Sequence, residues 1–239
     1  MNLDRRNLLA LGGSALLAAP VLAQTPPSPP ASTTTTKPGT HVPKPLPFDP
    51  KKLKGLSEKL VTSHHENNYS GAVKNLNKVE AELASISKDT AGFVVAGLKE
   101  RELLFRNSMV LHELYFENLG GDGKVAGEIG DAATSTFGSF ARLEELLRAT
   151  AMSEAGGSGW TLLGLSLHTG ELLVSWSSNH TQAPASTVPL LVLDLYEHAY
   201  ALDHGAAAAK YVDAFFANVR WDVVDRRLTQ ALKVRALFA

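Results

Sequence analysis

Residues 194–200, D-L-Y-E-H-A-Y, place an aspartate and a histidine four positions apart, directly after an apolar run at residues 188–193. That run is short, rich in leucine and valine and entered through a proline, which is the composition of a buried strand. A carboxylate at the end of such a strand and an imidazole four residues on point at one spot if the chain turns into a helix between them. One hard oxygen ligand and one borderline nitrogen ligand suit iron, manganese or zinc. Asp194 and His198 alone do not complete a metal site. His64, in S-H-H-E-N-N-Y-S, and His112, in M-V-L-H-E-L-Y-F, lie within apolar-periodic segments and are the candidates to extend it.

The order His64, His112, Asp194-x-x-x-His198 resembles the iron/manganese superoxide dismutases. The fragments P-L-P-F-D, H-H followed by K-N-L-N, H-E-L-Y-F-E-N-L, F-G-S-F, G-S-G-W, D-L-Y-E-H-A-Y and N-V-R-W-D run in family order from Pro45 to Asp222. The resemblance implies one iron or manganese ion held by His64, His112, Asp194 and His198, with His64 rather than its neighbour His65 as ligand. It implies disproportionation of superoxide to oxygen and hydrogen peroxide. It places His180 where the family has a Gln or His donating to metal-bound solvent, and it places Glu197 at the contact between two subunits of a homodimer. Zinc would suit the ligands but has no redox cycle.

This chain departs from the pattern around the substrate entrance. Where the family reads H-H-x-x-H-H-x-x-Y-V-x-N-L-N, Asn68 stands at the second histidine position and Ala72 at the tyrosine. Ala201 replaces the second tyrosine of E-H-A-Y-Y, Tyr196 the tryptophan of D-x-W-E-H, and Leu162 the second tryptophan of G-S-G-W-x-W. The two lost tyrosines and the lost histidine belong to one hydrogen-bonded route, so their joint loss implies a wider or differently lined funnel. Tyr69, one turn before Ala72, and Tyr196 are the candidate replacement donors, with Tyr196 and His180 the expected catalytic residues. The altered entrance also leaves open a non-catalytic metal-binding homologue and a redox enzyme with a different substrate.

Positioning these residues calls for an α+β fold: an N-terminal α-helical hairpin, then a C-terminal domain with a three-stranded antiparallel sheet and helices. Apolar periodicity predicts helices over residues 51–83 and 90–119, each carrying one candidate ligand histidine, the second closed by the glycine run at residues 120–123. Gly71 marks a candidate kink. A helix over residues 129–152, with Asp131 near its start as a cap, precedes strands at residues 160–167, 172–176 and 188–193. Helices follow at residues 197–202, 206–218 and 221–238. The expected division is a helical-hairpin domain at residues 48–123 and an α+β metal-binding domain at residues 124–239.

The N-terminus carries a different signal. Arg5 and Arg6 precede a modest apolar run too short to span a bilayer, and Val21-Leu22-Ala23 offers a small-residue cleavage site. Residues 1–23 therefore resemble a twin-arginine export signal, which predicts a periplasmic or secreted protein. Residues 24–47, rich in Pro, Thr and Ser, read as a tether without a core of its own. The chain of 239 residues is 44% hydrophobic, carries a formal net charge of -1 and contains no cysteine. That balance argues against nucleic acid or an anionic membrane as the main partner, and the missing thiols exclude disulfides and thiolate metal ligands.

Overall fold

The glycine run predicted to end the helical hairpin also lets two parts of the chain touch. A Cβ on Gly121 would come within 2.7 Å of the Val219 carbonyl carbon and 2.9 Å of Arg220 Cα. Gly120 and Gly123 have φ of 93° and 77°, the left-handed region that glycine adopts without a Cβ penalty. In the computed structural model, which describes residues 37–125 and 127–237, this run lies against the end of a later helix, with Gly121 N–H donating to Asn218 O at 2.8 Å.

The first helix is shorter and more broken than the periodicity predicts. A 3-10 turn spans Pro50–Lys52, and α1 (Glu58–Ser63) begins only after Ser57, whose hydroxyl accepts from Leu60 N–H as an N-cap. Six residues, His64–Tyr69, are π-helical, and α2 (Ser70–Ala84) continues from them. Gly71 has open space where a Cβ would sit, so the irregularity belongs to the π turns before it. α3 (Gly92–Glu117) returns as one long helix against α2.

The predicted helix over residues 129–152 is two helices, α4 (Ile129–Phe137) and α5 (Phe140–Ser153). Gly138, at φ 86°, ends the first, and the Ser139 hydroxyl caps the second through Arg142 N–H. Asp131 is not the cap of α4. Asp225, nearly a hundred residues on, accepts from Ile129 N–H at 2.8 Å instead.

Strands β1 (Trp160–Ser166), β2 (Leu172–Ser177) and β3 (Thr187–Asp194) fall within one residue of expectation and form an antiparallel sheet in the order β2-β1-β3. The central strand β1 is buried along its whole length. After β3 come a 3-10 turn (Glu197–Ala199), α6 (Ala201–His204), α7 (Ala208–Phe216) and α8 (Trp221–Arg235). The first two replace the single predicted helix at 197–202; Phe238, the predicted end of the last helix, lies outside the described residues.

The helical hairpin and the α+β part lie within one compact unit. Residues 37–47, expected as the end of a tether, are bonded to the hairpin: His41 N–H donates to Asn77 Oδ1 at 2.9 Å, and Lys44 N–H donates to the Tyr69 hydroxyl at 2.8 Å. The export signal expected at residues 1–23 and the expected tether up to residue 36 lie outside the described residues. Among the described helices, none is long and apolar enough to cross a membrane.

A buried polar network joins the two halves. Asn118, at the end of α3, has no exposed surface; its Oδ1 accepts from Val192 N–H of β3 at 3.0 Å and from Arg227 of α8 at 3.2 Å. Arg227 also donates to Leu190 O at 2.8 Å and to Glu117 at 2.7 Å. Asn118→Leu leaves the Val192 amide and one guanidinium N–H without an acceptor. Each orphaned buried donor costs about 1–3 kcal/mol, so the urea midpoint of this variant is expected to fall well below wild type, and an unchanged midpoint would remove the network from the account of stability.

Candidate metal centre

Four elements bring one side chain each to a common point. His64 is the first residue of the π turns, His112 sits in the last third of α3, Asp194 ends β3, and His198 is the middle residue of the 3-10 turn. π-helical turns recur at functional sites, where the widened helix re-aims a side chain. The expected turn between Asp194 and His198 is present as a 3-10 turn rather than an α-helix.

Each of the four offers one ligand atom, and these atoms all lie within 4.8 Å of one another. His64 Nε2, His198 Nε2 and His112 Nε2 stand 3.1, 3.2 and 3.6 Å from Asp194 Oδ2. Asp194 has no exposed surface, His64 and His112 retain 2% and 1%, and the His198 side chain retains 25%.

The other atoms of these groups are already occupied, which fixes what is left over. Asp194 Oδ1 accepts from Tyr196 N–H at 2.8 Å, and its backbone carbonyl accepts from the Tyr211 hydroxyl at 2.7 Å. Only Oδ2 points into the cluster. The Ser108 carbonyl, 2.6 Å from His112 Nδ1, can only accept, so Nδ1 carries the proton and Nε2 presents its lone pair. That Nε2 is buried and has no hydrogen-bond partner. A buried nitrogen lone pair without a donor, converging with a carboxylate oxygen and two more imidazoles, fits a cation and is costly without one. Three imidazoles and one carboxylate are a donor set that iron or manganese accepts.

His180, expected beside the metal, lies next to the cluster, its ring 6.3 Å from that of His112. The Trp160 indole N–H donates to His180 Nδ1 at 2.9 Å, so the ring proton of the neutral imidazole is on Nε2. The Asn107 amide holds the same residue by its backbone carbonyl at 2.7 Å. Tyr196 stacks on His180 and on His198, with centroids 4.8 and 5.3 Å away. Trp160 stood in the G-S-G-W fragment without a role; Ser108 could have been read from its position one helical turn before His112.

Tyr69 is not a replacement donor in the entrance. Its hydroxyl donates to Glu113 Oε1 at 3.0 Å, accepts from Lys44 N–H and borders a separate cavity beside Phe116. The entrance is a cleft of about 220 Å³ lined by Asn67, Asn68, Ala72, Asn75, Ser108 and the His112, His180 and His198 rings. Glu197 is exposed to solvent on the adjoining turn.

Burial sets the charge state. It lowers the pKa of His112 to about 3 and lowers those of His64 and His180, so all three rings are neutral at physiological pH. For Asp194 burial alone favours the acid, but the His198 and His64 imidazoles hold the carboxyl well below its usual range. Burial, with the Asp194 charge, raises the Tyr196 hydroxyl to about 12, so it stays protonated.

These shifts have a signed consequence for metal-free protein. Between about pH 6.5, where an unfolded imidazole titrates, and about pH 3, the unfolded chain binds a proton that folded His112 refuses. Stability from this residue is therefore present above that window and lost as pH falls through it. The Asp194 carboxylate adds a loss in the same direction at lower pH, where the unfolded chain is protonated first. The drop from His112 amounts to about 2 kcal/mol between pH 6.5 and 5. Thermal melts of chelator-treated protein should decline across that range, and His112→Asn should flatten the slope; parallel slopes would show that His112 is not held neutral.

The sequence comparisons agree with this geometry. Residues 125–227 match the profile of the iron/manganese superoxide dismutases, C-terminal domain. The iron superoxide dismutase of Cupriavidus metallidurans is 47% identical over 191 residues, covering 80% of this chain and 97% of that protein. The iron enzyme of Aquifex pyrophilus is 34% identical, covering 77% of this chain and 89% of its own, and a manganese enzyme of Halobacterium salinarum is 31% identical, covering 78% and 94%. With near-full-length relatives of both metal types and the cluster of His64, His112, Asp194 and His198 in place, the chain belongs to the iron/manganese superoxide dismutase family.

Proposed function

We propose that this protein disproportionates superoxide at a mononuclear iron or manganese centre held by His64, His112, Asp194 and His198. The observation that carries this reading is the convergence of three imidazole nitrogens and one carboxylate oxygen, with His112 Nε2 otherwise partnerless. When bound there, iron or manganese supplies one-electron redox chemistry, oxidising one superoxide to dioxygen and reducing a second, with two protons, to hydrogen peroxide.

The chain's own residues position and protonate. With His64 and His112 neutral, Asp194 brings a single negative charge, so a divalent or trivalent ion held there would keep a net positive charge toward an anionic substrate. His180, its Nδ1 engaged by Trp160, keeps Nε2–H to donate in the cleft that it lines. Tyr196, protonated and stacked between His180 and His198, is the second donor candidate. Asn67, Asn68 and Asn75 line the cleft with neutral amides that can hydrogen-bond an anion without repelling it. The relatives matched across the domain are named as dismutases, which favours this activity over a non-catalytic homologue or a different substrate.

The same reading extends to assembly and place. Exposed Glu197, beside ligand His198, serves as an intersubunit contact in a homodimer. Residues 1–23, with Arg5 and Arg6, direct twin-arginine export to the periplasm or beyond and are removed before Gln24, leaving a Pro/Thr/Ser-rich tether.

The deciding experiment measures dismutation per bound metal atom on protein beginning at Gln24, loaded separately with iron and with manganese. Fast turnover in at least one form is expected; full metal occupancy with negligible turnover in both defeats the enzymatic reading. Sedimentation should give the mass of a dimer, with Glu197→Ala shifting it toward monomer, and a monomeric wild type would refute the shared interface. Cell fractionation and N-terminal sequencing test export directly, since an intact Met1 on a cytoplasmic protein contradicts it.

A further inference from the structure

His180 stands between β2 and β3, and the polar groups on either side of it bond mostly to one another. The Ser177 hydroxyl, at the end of β2, lies within hydrogen-bond distance of the Asn179 and Gln182 carbonyls. Asn179 Oδ1 accepts from Thr181 N–H at 2.8 Å and from the Thr181 hydroxyl at 2.7 Å. Gln182 Oε1 accepts from Ser178 N–H at 2.9 Å and from the Ser178 hydroxyl at 3.0 Å. Residues 177–182 are thus a closed turn that sets its own internal shape. Its placement against the metal cluster depends on other elements. Among the described residues, two side chains from elsewhere in the fold bond His180 itself: Trp160 of β1 at ring Nδ1, 2.9 Å, and Asn107 of α3 at the backbone carbonyl, 2.7 Å. Trp160 alone would leave a pivot about which the turn and the ring could swing together. Asn107 supplies the second point.

We propose that Asn107 is a positioning residue for the reaction in the cleft, acting through His180 and touching neither metal nor substrate. The proposal rests on the reading of His180 as a donor in that cleft. Asn107 is half-buried and is not among the residues that line the cleft, so its effect on the chemistry passes through the carbonyl it holds. The bond is neutral on both sides, so it fixes the turn without adding a charge beside Asp194. A donor works only where its N–H meets the reacting atom, and a misplacement of about 1 Å can cost as much as a hundredfold in rate. With Asn107 in place, the Nε2–H of His180 has one direction; without it, the turn keeps its internal bonds but moves as a body.

The test compares Asn107→Leu, which keeps the side-chain shape but removes the donor, with Asn107→Gln, which keeps an amide; Asn107→Ala serves if the leucine variant does not fold. In metal-free protein, exchange of the Trp160 indole proton, followed by NMR and assigned with Trp160→Phe, should be at least tenfold faster in Asn107→Leu than in wild type. In the iron-loaded form, Asn107→Leu should bind azide at least threefold more weakly at unchanged metal content and lower superoxide turnover per metal about tenfold. Asn107→Gln should stay within about threefold of wild type in turnover and in indole exchange. Unchanged indole exchange and azide affinity in folded Asn107→Leu overturn the proposal, and an Asn107→Gln variant as impaired as Asn107→Leu overturns the assignment to the amide donor. A wild type without turnover defeats the dismutase reading instead, and the indole measurement on metal-free protein still decides whether Asn107 holds His180.

Discussion

An ionised carboxylate with no exposed surface must be balanced by its surroundings, and the fold of this protein is arranged to do that for Asp194. Tyr211 holds its backbone, the Tyr196 amide holds Oδ1, and three imidazoles from three other stretches of chain surround Oδ2. None of the four elements that supply these groups can form the site alone. Packing of the π turns and α3 against the end of β3 brings the ligands together, so folding and site assembly are one event. The Asn118–Arg227 network reinforces the same joint, tying α3 to β3 one layer beneath the cluster.

The joint also explains why the helical hairpin and the α+β part pack as one compact unit. A metal-binding half and a helical-hairpin half are separable in sequence because composition and periodicity shift near Gly121. They are inseparable in space because two of the four ligands belong to each.

Asp194 and His198 were legible as a pair, an aspartate closing an apolar strand with a histidine four residues on, whereas His64 and His112 stood out among the histidines through the resemblance to the family pattern. The strands were legible because residues 160–166 and 188–193 are apolar runs bounded by glycine, proline or polar residues. What could not be read depends on partners distant in sequence. The Ile129 amide is capped by Asp225 rather than nearby Asp131. Tyr69 has the spacing of a cleft donor, but the π turns and its bonds to Lys44 and Glu113 hold it elsewhere. Residues 37–47 look like tether by composition, yet their backbone groups find acceptors and donors on α2 and the π turns, which no local pattern encodes.

The loss of the family's entrance tyrosines and histidine is better understood as an exchange than as a deletion. Ala72 contributes no hydroxyl, but three asparagines line the cleft and His180 is fixed in the tautomer that keeps Nε2–H available. His180 sits on a connecting loop, and loops are the least rigid part of a fold. It is held at both ends by groups on regular elements, Trp160 of β1 at the ring and Asn107 of α3 at the backbone. Asn107 is one residue from Ser108, which sets the tautomer of His112 through its carbonyl. One turn of α3 thus orients both a ligand and the donor facing it, and any shift of that turn moves the two together rather than apart. In a cleft with few other fixed hydrogen bonds, that shared support is what keeps the donor in register with the metal ligands.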